Sequence, residues 1–316
     1  MATRTFMYQA VAGYFIHDDE ETGPHHPRAK TRLGMGLIDR TYDTDAIFDP
    51  ERNKTQWERF LYFVEHQNQQ EKGKVQYKIV FLIRHGQGYH NLKESQVGFR
   101  KWTDHWALKD TDGIIYWSDA LLTGIGREQA KALNDFWRES IKNKTVPVPQ
   151  KLYTSPLTRC LDTTKYTYSG LPGQEFKPVI KEKLRERNGK HTCDRRSTRS
   201  IISTNYPEYE IEAGFAEDDE EWRPDHRETE AEIADRVRQL LDDIFTNEDE
   251  TIISFTAHSG LIRALYDVTG HKDVWVGAGA MVPVLIRAEE HTTVSKMYHD
   301  VYTYMNGWLG KWIALD

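Results

Sequence analysis

Four clusters of chemically capable side chains punctuate this chain, each at the end of an apolar run. Arg84-His85 follows Ile79-Val80-Phe81-Leu82-Ile83, Arg159 follows Lys151 to Ser155, Glu186 follows Lys177 to Leu184, and His258 follows Thr251 to Thr256. Brought together, they supply two guanidiniums, two imidazoles and a carboxyl group. Guanidiniums present planar forks of donors that match the oxygens of a tetrahedral dianion. Gly86 and Gly88 let backbone approach a ligand closely. A phosphate group is the ligand such a set favours.

The clusters are far apart in sequence, so convergence demands a particular scaffold. The β-branched run 79–83 reads as a buried central strand that stops at Arg84 to Asn91. Three more extended pieces, near 151–155, 177–184 and 251–256, also end in polar residues, and helical patterns lie between them. Thr55 is expected to cap a helix carrying Trp57, Phe60, Leu61, Phe63 and Val64. Thr123 is expected to cap another, carrying Ile125, Ala130, Leu133, Phe136, Trp137 and Ile141 and ended by Pro147 and Pro149. Pro156 is placed in the first turn of a third helix, and Glu228 to Phe245 form a fourth. This alternation predicts an α/β fold, a three-layer α/β/α arrangement with a mostly parallel central sheet whose loops pool their side chains at one edge. Val282 to Ala288 is the last strand expected. His17 to Lys30 reads as a surface loop, Leu92 to Tyr116 as irregular, and Glu217 to Glu221 as a solvated acidic loop.

Composition narrows the partners. The chain has 316 residues, 38% of them hydrophobic, and a net charge of −7, so no global field favours nucleic acid or an anionic membrane. An anion site must therefore be a local cationic pocket. No apolar signal core and no membrane-length apolar run is present, and a cytoplasmic or nuclear location is expected. Cys160 and Cys193 are too few for a disulfide framework and are read as buried thiols.

Several motifs together carry a resemblance: Arg84-His85-Gly86 with Asn91, Ser155-Pro156-Leu157-Thr158-Arg159, Leu184-x-Glu186, His258-Ser259-Gly260, and Leu122-Thr123-x-x-Gly126-x-x-Gln129-Ala130. In this order, over residues 77 to 288, they resemble the histidine phosphatase superfamily, the phosphoglycerate mutase-like branch with the Arg-His-Gly motif. Cys193-Asp194-x-Arg196 is similar to fungal and plant phosphatase-like members. The resemblance implies one domain over 1–316, with an N-terminal extension to about residue 75 and an insertion around 190–225. It implies that His85 attacks phosphorus, that Arg84, Asn91, Arg159 and His258 bind the phosphate, and that Glu186 protonates the leaving oxygen. Glu182 and Asp194 are the rival acids. Flanking arginines disfavour a third positive charge and keep His85 neutral, ready for attack.

Gln87 stands where many mutases have Glu, and Arg187-Asn188-Gly189 departs from the mutase continuation. Both departures turn the expectation toward a phosphomonoester hydrolase acting on a small phosphorylated metabolite, without a cofactor. Phosphoglycerate mutase-type transfer, a binding-only member and a non-phosphate biosynthetic reaction are the alternatives. His90 and His191 are weighed as metal ligands with His85, but His85-x4-His90 has no carboxylate or cysteine partner at metal-site spacing, so no metal site is expected. Lys190, His191, Arg195, Arg196 and Arg199 are weighed as a second basic patch against ordinary surface charge. The tryptophans between Trp102 and Trp117 either wall the pocket or pack. The oligomeric state is left open.

Overall fold

The computed structural model describes residues 5–23 and 26–291. Strand β1 (Thr5–Ala10) is followed by a short helix, α1 (Asp45–Phe48), and by α2 (Gln56–Gln70). Thr55 caps α2 as its sequence implies: its hydroxyl accepts from the Glu58 amide while the Glu58 carboxylate accepts from the Thr55 amide. The polar segment 17–30 is not wholly a surface loop. His17, Asp18 and Ala29 are buried in it, because Ala29 pairs with the backbone of Trp275 and Gly277 and Asp18 meets His271.

Strand β2 (Val75–Arg84) is the central element, and its alternation separates two cores. Val80 and Leu82 face one layer, together with Val237, Leu241, Leu261 and Leu265. Ile79, Phe81 and Ile83 face the other, together with Trp57, Phe60, Leu133 and Trp137. Side chains of a strand point alternately to its two sides, so a β-branched run without polar interruption is what a strand covered on both faces requires.

The stretch 92–116 is more regular than expected, with α3 (Tyr89–Val97) and α4 (Phe99–Asp104) in it. The next helix, α5 (Gly124–Asn143), is capped by Thr123 and buries Ala130, Leu133 and Trp137 at helical spacing. Ile125 is 61% exposed, so it does not belong to that apolar face. The prolines do not end α5 either. Lys144, in the left-handed region at φ 52, closes it before Pro147 is reached.

Strand β3 (Lys151–Thr154) leads to α6 (Thr158–Tyr168), whose N-cap is Leu157. Pro156 thus precedes the helix instead of opening its first turn. β4 is only Val179–Ile180, and the insertion adds α7 (Arg199–Asn205) and β5 (Glu210–Ile211). The acidic run 217–221 is not uniformly solvated, because Asp219 takes both ends of the Arg185 fork and the amides of Arg196 and Trp222. Then come α8 (Glu230–Asn247), capped by Thr229, β6 (Ile252–Ala257), α9 (Ser259–Thr269) and β7 (Met281–His291).

Seven strands form one sheet in the order β1-β7-β2-β6-β3-β4-β5. The pairs β2·β6, β6·β3, β3·β4 and β4·β5 are parallel, and β7 runs antiparallel to both β1 and β2. α2 and α5 cover one face, α8 and α9 the other, giving the three-layer α/β/α architecture. Because β2, β6, β3 and β4 are parallel, their C-terminal ends lie along one edge. Open α/β sheets bind ligands there.

Candidate active site

The four strand ends surround a cavity of about 460 Å³. Arg84, His85, Asn91, Arg159 and Glu186 line it. Arg28, His90, Glu94, Trp102, Asp194, Arg227, Arg263 and Trp275 line it too. Six arginines stand there against three carboxyl groups, a local cationic pocket in an acidic protein.

His85 sits one residue past β2, and its loop is clamped onto the start of α5. A Cβ on Gly86 would come within 2.3 Å of the Gly126 carbonyl, and one on Gly126 within 2.1 Å of the Gln87 carbonyl. Only glycine at both positions permits that approach. The His85 Nδ1 lies 2.7 Å from the Gly86 carbonyl. A carbonyl only accepts, so Nδ1 carries the hydrogen and Nε2 presents its lone pair. Arg159 Nε donates to that Nε2 at 3.3 Å. Complete burial, with the positive charges of Arg159 and Arg84, holds the imidazole well below the usual histidine range. It is neutral at physiological pH.

Arg84 is half-buried, and its Nη1 donates to the Val276 carbonyl at 3.1 Å. Its Nε is buried with no partner, and no carboxylate pairs with it among the described residues. Burial, with Arg28 and Arg159 nearby, pushes its pKa down to about 10. A buried guanidinium nitrogen without an acceptor is costly. An anion at the cavity floor would satisfy it.

Arg159 is more committed than its motif suggests. Its Nη2 meets Asp194 Oδ1 at 2.9 Å and its Nη1 the Cys193 carbonyl at 2.5 Å. The other Asp194 oxygen takes Arg227 Nη1 at 2.8 Å. Burial opposes the Asp194 charge, but Arg227 and Arg159 outweigh it and hold the carboxyl below its ordinary range. Asp194 is therefore an ionised clamp for two arginines, not a proton donor. The insertion around 190–225 supplies Asp194 for this clamp.

Glu186 is the acidic residue of β4's loop that faces the cavity. Its Oε1 accepts from the Arg187 amide at 3.0 Å, and its Oε2 from the Gly260 amide at 3.1 Å and the Ser259 hydroxyl at 3.4 Å. A Cβ on Gly260 would come within 2.1 Å of Oε1. Glu182 instead joins Arg185 and Arg196 away from the cavity. Arg185 is spent on Asp219, Glu182 and the Asp194 carbonyl.

Asn91 lies in the first turn of α3. Its Oδ1 accepts from the Gly88 amide at 3.1 Å, leaving the amide nitrogen for a ligand. His258 is the one expected site residue that does not line the cavity. It is fully buried, its ring 5.0 Å from that of His85, with Nε2 2.8 Å from the Ser155 hydroxyl.

Sequence reasoning missed Arg28, Glu94, Arg227 and Trp275. Glu94 had a legible signal, lying one helical turn beyond Asn91. Burial raises its pKa against the pull of Arg84 and Arg28. Of the tryptophans, Trp102 walls the cavity while Trp117 packs at 0% exposure. The second basic patch does not form: Arg196 is buried against Glu182 and the carbonyls of Ala216 and Asp218, and Arg195 binds Asp110. Both cysteines are buried and free. No helix among the described residues is long and apolar enough to cross a membrane.

Residues 80–275 match the family model "Histidine phosphatase superfamily (branch 1)". A "Probable phosphoglycerate mutase" of Arthroderma benhamiae is 46% identical over 90% of this chain and 85% of its own length. "Phosphomutase-like protein 3" of Candida albicans is 38% identical over 68% of this chain and 67% of its own. Among solved structures, "Mycobacterial hydrolase 1" is 20% identical, covering 69% of this chain and 98% of its own with a TM-score of 0.43.

Proposed function

This chain belongs to the histidine phosphatase superfamily, and on that premise we propose that it hydrolyses a small phosphomonoester through a phosphohistidine at His85. One observation carries the reading: a buried, neutral imidazole whose Nδ1–H is held by the Gly86 carbonyl, with Nε2 facing the Arg159 guanidinium. That is the protonation state and environment of a nucleophile aimed where an anion would sit.

In this reading the phosphoryl oxygens take donors from Arg84, Asn91 and Arg159. Arg159 Nε–H leaves His85 Nε2 for an oxygen as the substrate arrives, which frees the lone pair for attack on phosphorus. The P–O ester bond breaks as the N–P bond forms, and Glu186 gives its proton to the departing alkoxide. The resulting Glu186 carboxylate then takes a proton from water, whose oxygen attacks phosphorus and releases inorganic phosphate from His85. The imidazole never has to lose a proton, so the arginines that hold it neutral assist both halves. His258 is assigned as a positioning residue behind His85, since contact with a phosphoryl oxygen would need Nε2 to leave Ser155.

The names of the two relatives favour a second reading, phosphoglycerate mutase-type transfer, in which the phosphohistidine returns its phosphoryl to an organic hydroxyl. One experiment addresses both. Rapid quenching in base of protein turning over a ³²P-phosphomonoester is expected to trap acid-labile label on His85, and free phosphate is expected to accumulate with the dephosphorylated alcohol. Label on a serine overturns the nucleophile. Label on His85 with isomerised phosphoester and little free phosphate selects the mutase.

A further inference from the structure

Away from the cavity, three side chains from opposite ends of the chain converge in a setting that fits a divalent metal better than it fits hydrogen bonding. His17 Nε2 lies 3.5 Å and His271 Nε2 3.1 Å from the same oxygen, Asp18 Oδ1. The three side chains are 1–3% exposed. The other Asp18 oxygen is fully used, accepting from the amides of Gly13, Tyr14 and Phe15 at 2.8–3.1 Å. That anchoring turns Oδ1 toward the two imidazoles and holds it there.

Hydrogen bonding does not satisfy every member of this cluster. His271 Nδ1 lies 2.7 Å from the Lys272 carbonyl, so it carries a hydrogen, and Nε2 is the nitrogen that faces Asp18. The His17 ring is buried and interacts with the Pro283 carbonyl. Its Nε2 is nevertheless buried without a hydrogen-bond partner, the 3.5 Å approach to Asp18 being too poorly aligned to count as one. The hydroxyl of Tyr266, whose ring stacks on His271 with centroids 4.6 Å apart, is a second buried group without a partner. A hydrogen bond between His271 and Asp18 leaves His17 Nε2 stranded. One cation would engage all three side chains.

We propose that His17, Asp18 and His271 bind a zinc ion through Nε2, Oδ1 and Nε2. Ligands about 2.0–2.1 Å from a tetrahedral zinc stand about 3.3 Å apart, which brackets with the 3.1 and 3.5 Å observed. Each imidazole is backed by a main-chain carbonyl, the outer contact that fixes a ligating histidine's ring. Two nitrogens and one oxygen suit Zn²⁺ over the oxygen-seeking Mg²⁺ and Ca²⁺. The fourth position would be left to a water.

The role this implies is structural. Ala29 and Trp275, tied by the Ala29 amide at 2.9 Å, and Thr22, whose hydroxyl accepts from the Trp275 amide at 2.8 Å, join the same two segments that the metal would cross-link. Those segments present Arg28 and Trp275 to the cavity. The ion would pin one wall of the site without touching the phosphoryl group.

The test is metal uptake by the full chain after exhaustive chelation. The wild type is expected to bind one equivalent of Zn²⁺ with a Kd below about 1 μM in competition with a chromophoric chelator, and its Tm to rise by several degrees on zinc addition. Co²⁺ in its place should give the visible absorption of a tetrahedral N/O site. His17→Gln and His271→Gln are each expected to lose that uptake and the Co²⁺ bands. No tight equivalent in folded wild type, or uptake undiminished in either variant, overturns the proposal. Should the variants fail to fold, an unchanged wild-type Tm with zinc overturns it by itself.

Discussion

Replacing Glu186 by Gln separates proton donation from mere placement. The carboxyl group, protonated for donation, accepts three hydrogen bonds, from the amides of Arg187 and Gly260 and the hydroxyl of Ser259. Gln keeps the shape and one accepting oxygen, but it sets an NH₂ group against one of these donors and has no proton to transfer. Disturbing one neutral hydrogen bond costs about 1 kcal/mol, less than tenfold in rate at about 1.4 kcal/mol per decade. That part falls on every substrate alike. Losing the acid costs about 10²–10⁴-fold, but only where the leaving group needs a proton. An alkyl phosphomonoester expels a strongly basic alkoxide, whereas p-nitrophenolate leaves unaided. The expected result is therefore a loss on the order of 10² or more in kcat/KM with the alkyl ester and less than about tenfold with p-nitrophenyl phosphate. Asp194→Asn is the control. It strips Arg159 and Arg227 of their buried counter-charge, which should cost about 3–5 kcal/mol of stability and lower both activities together. Equal losses from Glu186→Gln on both substrates would refute the assignment, and a selective loss in Asp194→Asn would transfer it.

His85→Ala should lose roughly 10³-fold or more in kcat yet still bind vanadate, because Arg84 and the Arg159 clamp remain; near-normal turnover in a kinetic assay ends the covalent mechanism. EDTA should not abolish turnover, since the cavity arginines supply the charge that two-metal phosphatases take from cations, and any slowing from loss of the structural zinc should be reversed by Zn²⁺ alone; a rate abolished by EDTA and restored by Mn²⁺ in His17→Gln as well would make the cavity histidines ligands. Stability should fall as pH drops below about 6.5. His85, His90 and His258 are held well below that value by burial and by Arg159, so the unfolded chain binds protons that the folded one refuses, each contributing at most about 1.4 kcal/mol per pH unit. Urea midpoints between pH 7 and pH 5 check this, and midpoints that are flat or rise toward pH 5 would contradict it. Gly260→Ala should reproduce the alkyl-ester selectivity of Glu186→Gln, because the added methyl displaces Oε1; unchanged leaving-group dependence in the same pair of assays would count against Glu186 as the acid.

Local signals in the sequence were enough for the scaffold. The uninterrupted run 79–83 could only be satisfied by cover on both faces, Thr55 and Thr123 marked helix starts with their own hydroxyls, and the repeated strand-then-polar pattern implied that Arg84, His85, Arg159 and Glu186 meet at one edge. What lay beyond sequence depended on which distant groups each side chain would meet. Asp194 could be read as an acid until Arg159 and Arg227 were seen to enclose it, since one carboxyl is donor or clamp according to neighbours 35 and 33 residues away. Asp219 sat inside an acidic run that reads as solvent-facing, yet the fork of Arg185, 34 residues earlier, draws it inward. His17 and Asp18 lay in a polar stretch, and the imidazole that makes them a metal-binding set, His271, is 253 residues from Asp18. Periodicity and capping act over one or two turns of chain, so they specify elements. Charge compensation and coordination act through space between elements, and only the folded sheet brings those partners within a few ångströms.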